Sequence, residues 1–418
     1  MDLYRRLVRW FLTPFTGKSL FAVPRWCLSN RGTPGAFVSM ATEGNRRDFL
    51  RRLTRGQLDD APTLPPADTE TSNPPTAAAR SSHPRRGAYK LQLGRRAMAS
   101  DFQVLFNLGQ YENAIEVGLT ALDLLEPLED MMSFFRPQGE LGRINAEALH
   151  RDVEVSPELW ELLVYCRRLW EATDGAFDIT AAPLWQVWGF ARREGRLPSQ
   201  SEVEEARELC GWRWVELDAS RQTVRFHKPG VALNLGSVGK GYALDRLAKV
   251  ITEAGIQDFA LHGGLSSVFA LGDSWELPLS EDTDGPHGWP IGLSDPLHPG
   301  RRVGQVWLKN QGLGTSGTAL QFFWHKGKRY GHILDPRTGY PADKVLSVTV
   351  VAPTAAEADA LATAFFILGP QGARRFCEQH PGVAGIFLLN VPGRVPQVEV
   401  VGEPQAELET RDRDGDAL

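Results

Sequence analysis

The sequence predicts an α+β domain in which mixed, largely antiparallel sheets carry packed helices. Three observations lead there. Short strand-like runs are separated by hairpin-length gaps, and helices with readable ends fall among them without a regular strand–helix alternation. A long segment without aromatic residues sets the N-terminal part of the chain apart from this domain.

Residues 1–86 read as an extension. The stretch 1–23, "MDLYRRLVRWFLTPFTGKSLFAV", mixes Arg with Trp, Phe and Leu, a composition that also suits a membrane surface, but a poorly ordered segment is expected. "NRRDFLRRL" at 45–53 has the look of a twin-arginine export signal, yet the polar "TRGQLDDAPTLPPADTE" stands where an apolar h-region should follow. The expected compartment is therefore the cytoplasm, with export or membrane association left open. No aromatic residue occurs between Phe49 and Tyr89, while Pro, Thr, Ser and Ala accumulate, so 55–87 cannot bury enough apolar surface to offset its ordering entropy. The folded domain is placed at 87–402, followed by a charged tail at 403–418.

Within the domain, "YKLQL" (89–93) and "DFQVLF" (101–106) alternate like strands and flank "GRRAMAS". Residues 112–128 read as one helix with Ile115, Leu119, Leu122 and Leu125 on its apolar face. Ser156-Pro157 suits an N-cap followed by proline in the first turn, and Leu159, Leu163, Cys166 and Trp170 give the buried stripe. A third helix runs from about Tyr242 to Ala254 and stops at Gly255. The fourth begins at Thr354. "TAAE" reads as a capping box, with Thr354 accepting from the Glu357 N–H and Glu357 reaching back, and the helix continues through "ADALATAFFIL" to Gly369. "WVELD", "TVRFH", "VALNL", "FALHG", "VWLKN", "LSVTVVA" and "AGIFLLN" supply strands between the helices.

Composition excludes several classes. At 418 residues and 42% apolar the chain can bury a substantial core, and a net charge of −5 argues against a general nucleic-acid binder. Four cysteines without CxxC spacing (Cys27, Cys166, Cys210, Cys377) indicate neither a zinc site nor a disulfide framework; Cys166 and Cys377 fall in helical patterns and are expected as buried small apolar residues. No stretch approaches the ~20 apolar residues of a transmembrane helix.

The most suggestive local signal is "NLGSVGKGYALD" (234–245), a glycine-rich turn with a Gly-Lys pair entering a helix. A triphosphate-binding loop requires G-x-x-x-x-G-K-[ST]. Here Asn234 stands at the first fixed position and Gly241 at the last, so that reading fails. A turn delivering backbone N–H groups and a cation to a diphosphate remains, alongside a purely structural turn. Two other segments carry polar groups suited to catalysis: "TDGAFDITAAPLWQVWGF" (173–190) with Asp174 and Asp178, and "GTSGTALQFFWHKGKRYGHILDPRTGYPA" (314–342) with His332, Asp335 and Thr338. In "EADALATAFF", Asp359 and Thr363 lie one turn apart on a helix face, a hard-oxygen pair that suits Mg²⁺ or a solvated face.

In order and content these segments resemble the ApbE family of FAD:protein FMN transferases. The matching stretches are "AMASDF", "MSFFRPQGELGRIN", "DGAFDIT", "LNLGSVGKGYALD", "LHGGLSSVFALG", "GTSG", "GHILDPRTGYPA" and "EADALAT", running from about residue 97 to 369. The resemblance implies a Mg²⁺-dependent enzyme that splits FAD at its pyrophosphate, passes the FMN phosphoryl group to a Thr or Ser hydroxyl of a target flavoprotein, and releases AMP. It places FAD against Met98, Ala176, Phe177, Asp178, Asn234, Lys240, Thr315, Ser316, Gly317 and His332. It places the metal on the Ser237 carbonyl, Asp359 and Thr363. His332 is the expected base, with Asp335 orienting it or acting in its place; Arg337 is either a phosphate ligand or a structural ion pair. Three positions depart from the family pattern: Asn234 and Thr318 where relatives commonly carry Asp, and "GGL" at Gly263–Leu265 where "GGD" is usual. An FAD pyrophosphatase with water as acceptor, or a flavin binder without catalysis, stays open on those departures.

Overall fold

The structure is a computed structural model and describes residues 89–275, 288–298, 300–318, 321–390, 396–404 and 406–410; the expected extension at 1–86 lies outside the described residues. Strands β1 (Lys90–Ala97) and β2 (Ser100–Asn107) pair as a hairpin whose turn is only Met98 and Ala99, both with positive φ. The primed turn that such φ values define matches strand twist, so "GRRAMAS", expected to interrupt the strands, mostly belongs to them. Further along come β6 (Phe259–Gly263), β7 (Ser267–Leu271), β10 (Gln311–Gly317), β13 (Ser347–Ala352), β14 (Ala384–Leu389) and β15 (Gln397–Val401). With β1 and β2 they form an eight-stranded sheet in the order β1-β2-β6-β7-β10-β13-β14-β15, every pair antiparallel.

Both faces of this sheet are covered, which is why all six residues of β13 are buried. On one face Val348 and Val350 join the main core with the helices; on the other Val351, Leu313 and Ala270 meet a second layer. That layer is a three-stranded sheet of β8 (Trp289–Ser294), β9 (Arg302–Leu308) and β16 (Glu407–Thr410). The segment expected as a charged tail thus contributes a strand paired with β9. Strands β3 (Val153–Glu154), β4 (Val215–Asp218) and β5 (Thr223–Phe226) make another small sheet, and β11 (Phe322–His325) with β12 (Lys328–Gly331) a free-standing hairpin.

The helices are α1 (Ala114–Asp123), α2 (Leu125–Met132), α3 (Glu140–Glu147), α4 (Pro157–Ala172), α5 (Ala182–Val187), α6 (Gln200–Arg207), α7 (Gly239–Glu253) and α8 (Ala355–Gln379). The single helix expected over 112–128 is two, divided at Leu124. Its expected face is also half wrong: Leu122 and Leu125 are buried, but Ile115 and Leu119 are exposed. Helix α1 approaches the β1–β2 hairpin through Gly118, where a Cβ would lie 2.6 Å from Leu93 Cδ1, so small residues rather than branched ones face the sheet. Helix α4 keeps its expected Ser156 cap and its buried Leu159, Leu163 and Cys166. Cys166 and Cys377 are buried free thiols, as expected.

Helices α7 and α8 cross at close quarters. A Cβ on Gly241 would stand 2.1 Å from the Ala355 carbonyl oxygen. Asp245 of α7 accepts from the Ala355 and Ala356 N–H groups at 2.8 Å each, and burial pushes its carboxyl up to about 6. Thr354 accepts from the Glu357 N–H as expected, but among the described residues Glu357 makes no return bond to the Thr354 N–H, and Asp245 serves the Ala355 and Ala356 N–H groups of that first turn from outside. Gly369 leaves the helical conformation and Pro370 starts a second helical segment, so the expected stop is a kink. "VALNL" is irregular rather than a strand: Asn145 exchanges two side-chain hydrogen bonds with Leu233, and the Asn234 N–H donates to Ile179 O at 2.8 Å. Among the described residues no helix is long and apolar enough to cross a membrane.

Candidate active site

The site gathers at the N-terminus of α7. Glycines set the approach of the parts: on β10, a Cβ at Gly312 would meet the Ala355 nitrogen at 2.4 Å and one at Gly314 the Ala358 oxygen at 2.3 Å, so α8 lies directly on that strand. Asp359 therefore projects from a buried helix face into the interior and is 6% exposed. Its Oδ2 accepts from the Gly241 N–H at 3.1 Å and its Oδ1 from the Ser267 hydroxyl at 2.9 Å. One turn on, the Thr363 hydroxyl lies 3.4 Å from the Ser316 hydroxyl of β10. Thr315 points to the other side and shares a 2.9 Å hydrogen bond with Thr349.

The donor set tests whether a metal fits. Among the described residues no cluster of three or more His, Cys, Asp and Glu side chains exists, which excludes a transition-metal type of cage there. The groups brought together are hard oxygens: one buried carboxylate that no described cation pairs with and, one helical turn on, the Thr363 hydroxyl; the expected Ser237 lies in the 236–238 turn that precedes α7. Mg²⁺ takes few protein ligands and keeps phosphates or waters, so this set fits it.

His332 follows β12 and is half-buried. Its Nδ1 lies 3.0 Å from the Gln321 carbonyl, so Nδ1 carries the proton and Nε2 keeps its lone pair. Burial pushes its pKa below the ordinary value, the Gln321 carbonyl opposes that, and the nearby Lys240 charge adds to it. At neutral pH it is an uncharged imidazole next to a cation. Among the described residues Asp335 makes no hydrogen bond to it. Its carboxylate is held by Arg337 through Oδ1 from Nε and Oδ2 from Nη2, both at 2.8 Å, while its carbonyl closes the turn at Gly339. Arg337 thus takes the structural ion-pair alternative.

Asn234 accepts from the Gly236 N–H at 2.8 Å, which tightens the glycine-rich turn. Ala176 and Phe177 are buried in the 173–180 loop, which Thr173 fastens by accepting from the Phe177 N–H at 3.1 Å. Asp178 accepts from both the N–H and the hydroxyl of Thr180; burial raises its carboxyl to about 6 against those bonds. The loop joins the Asn234 turn through Ile179 O. Met98 sits at the hairpin tip, packed on the main core. The structure therefore puts His332 within reach of the Lys240 charge and Thr363, one turn from Asp359, beside Ser316, while Thr315 and Asp335 are turned to other partners. Ser267, Gln321 and Asp245 were not singled out from the sequence. Ser267 sits in "LHGGLSSV", and Asp245 is a carboxylate on the α7 face that meets α8.

Comparison with known proteins follows the same outline. Residues 98–387 match the ApbE family model. The FAD:protein FMN transferase of Treponema pallidum is 32% identical over 273 residues, 64% of this chain and 75% of the relative; that of Haemophilus influenzae is 29% identical over 265 residues, 62% and 74%. Among solved structures, the ApbE protein of Thermotoga maritima superposes with a TM-score of 0.65 at 30% identity over 75% of this chain and 97% of that one. The flavin transferase ApbE of Vibrio cholerae, at 24% identity and a TM-score of 0.64, shares the fold. A transferase is the class these similarities define. The chain belongs to the ApbE family.

Proposed function

We propose that this chain is a Mg²⁺-dependent FAD:protein FMN transferase whose acceptor is a Thr or Ser hydroxyl of a target flavoprotein. The observation that supports it most is the first turn of α7, where the Gly241 N–H holds Asp359 and the adjacent Lys240 charge acts on His332. The diphosphate end of FAD lies against this turn, where backbone N–H groups, the helix dipole and Lys240 favour negative charge. Asp359, Thr363 and the Ser237 carbonyl would hold Mg²⁺, which when bound neutralises charge on the diphosphate oxygens. His332 Nε2 takes the proton of the acceptor hydroxyl as its oxygen attacks the FMN phosphorus. The bond from that phosphorus to the bridging oxygen breaks, and AMP departs with that oxygen. Neutral His332 with Nδ1 pinned to Gln321 is prepared for that transfer. Asp335, tied to Arg337, shapes the 335–339 turn rather than taking the proton.

The test is incubation with FAD, Mg²⁺ and a candidate flavoprotein domain, following AMP release and in-gel flavin fluorescence. Transfer requires both signals. AMP without labelled protein would establish the pyrophosphatase reading, and FAD binding without AMP the non-catalytic one.

A further inference from the structure

Strand β7 turns one polar group toward the helices. Its next residue, Val268, joins the second-layer core, so strand alternation sends Ser267 to the opposite face, against α7 and α8. Both cross-strand neighbours of Ser267 are glycines, Gly263 of β6 and Gly314 of β10. A Cβ at Gly314 would stand 2.7 Å from the Asp359 nitrogen, so α8 comes down onto the sheet beside the serine. Ser267 is 0% exposed, and its hydroxyl reaches Asp359 Oδ1 at 2.9 Å. The Ser266 hydroxyl lies 3.3 Å from that of Ser267 and makes no hydrogen bond to Asp359 among the described residues.

A serine hydroxyl has one proton to donate, and an ionised carboxylate only accepts. The Ser267 proton is therefore committed to Asp359 Oδ1, while the Gly241 N–H holds Oδ2 at 3.1 Å. The two donors belong to different elements, β7 and α7, so together they fix the plane of a carboxylate carried by a third, α8. Each oxygen keeps a second lone pair for another partner. Without the hydroxyl, Oδ1 would be untethered, and the ion that binds there would have to order the side chain itself. Removing a group that holds a metal ligand in this way typically costs about 10–100-fold in metal affinity.

We propose that Ser267 is a positioning residue for the metal site: by donating to Asp359 Oδ1 it presents that carboxylate to Mg²⁺. The assignment rests on the metal-dependent transferase reading of the site, and Ser267 acts through Asp359 alone. A purely structural hydroxyl would stabilise the contact between sheet and helix without altering how tightly a cation is held.

The test measures Mn²⁺ binding, read as loss of the free-ion EPR signal, to the full chain saturated with FAD in the absence of acceptor protein. Ser267→Ala and Ser267→Cys, the second close to serine in bulk but a weak donor, should each bind Mn²⁺ about tenfold or more weakly than the wild type. Ser266→Ala, the control, should stay within about twofold. FAD affinity without metal should be the same in all of them. In AMP release, the Mg²⁺ concentration giving half-maximal rate should rise in Ser267→Ala, while the rate at saturating Mg²⁺ stays near the wild-type value. Wild-type Mn²⁺ affinity in either folded Ser267 variant overturns the proposal, as does an equal loss in Ser266→Ala or a lower saturated rate with an unchanged Mg²⁺ midpoint. Failure of both Ser267 variants to fold, read by differential scanning fluorimetry, makes the hydroxyl a structural group and overturns it too. No Mn²⁺ bound by the wild type would remove the metal site together with its positioning residue. Mn²⁺ binding that depends on Ser267, in a chain that releases no AMP, would sink the transferase reading alone.

Discussion

Gly241→Ala offers a sharp test of how the site is held together. The added methyl would sit 2.1 Å from the Ala355 oxygen, 2.5 Å from its carbonyl carbon and 2.8 Å from Ala356 Cα, all main-chain atoms that cannot rotate away. Reaching van der Waals separation moves α7 and α8 apart by about 1 Å. Three hydrogen bonds span that crossing: Gly241 N to Asp359 at 3.1 Å, and Ala355 N and Ala356 N to Asp245 at 2.8 Å each. Overpacking costs ~1–3 kcal/mol and a stretched hydrogen bond to a charged group ~1.5–3 kcal/mol, terms that overlap, so about 3 kcal/mol is expected. At ~2.1 cal/mol/K of unfolding entropy per residue, for a domain of roughly 300 residues, that lowers Tm by about 5 °C. Because Asp359 moves with α8, AMP release should fall about 100-fold, the usual consequence of a 1 Å misplacement.

Gly239→Ala is the control. It lies on the same helix two residues earlier, yet its Cβ would meet only Met132, at 3.6 Å and 3.8 Å, which is ordinary contact. Differential scanning fluorimetry and AMP release on both variants decide the matter. A Gly241→Ala protein with wild-type Tm and activity, or a Gly239→Ala protein equally damaged, would refute the close crossing as the basis of the site.

Other perturbations separate the proposed roles. Asp359→Ala removes the only charged side chain proposed to hold the metal, so AMP release should collapse across a Mg²⁺ titration, whereas Thr363→Ala should lose less and recover at high Mg²⁺; wild-type metal dependence in Asp359→Ala would move the metal elsewhere. His332→Ala should retain FAD binding and lose transfer. Because burial and Lys240 lower the His332 pKa, the neutral base persists down to below pH ~6.5. Transfer should therefore be constant above that pH and decline only as pH falls further, and an acid limb at or above the ordinary His value would contradict the base assignment. Asn234→Asp retains an acceptor for the Gly236 N–H, so Tm should stay unchanged while FAD binds about tenfold tighter; unchanged affinity in a titration would show the turn is built around the amide.

Much of the fold was legible because it follows local rules. Ser156 caps α4, Gly255 ends α7, and the apolar runs at 259–263, 347–352 and 384–389 are strands. Where tertiary contacts outbid local preference, the reading failed. "QGLGTSG" is missing from the expected strands, yet it is β10 in the middle of the large sheet, and its glycines make room for α8. "VALNL" alternates like a strand, but the Asn145 side chain and the Ile179 carbonyl take hydrogen bonds a sheet would need. The capping-box rule holds in full at Ser199 and Glu202, where α6 starts in solvent, and only by half at Thr354, where Asp245 reaches across from α7.

The site divides along a related line. Side-chain chemistry is written in the sequence: helical spacing marks Asp359 and Thr363 as a candidate pair, and the motif marks His332 as a candidate base. Main-chain groups leave no such mark: the Gly241 N–H that fixes Asp359 and the Gln321 carbonyl that sets the His332 tautomer carry no residue signature. Gly241 shows what that blindness conceals. Its failure to match a triphosphate loop reads as a missing magnesium ligand, and the structure gives the physical reason for the absence: any side chain there would strike the α8 main chain. With α8 seated that closely, Asp359 takes its hydrogen bond from the very residue that a triphosphate loop would use as Ser or Thr. In the proposed site the carboxylate that would hold the metal stands on the neighbouring helix, and the glycine at 241 is what lets α8 come that close.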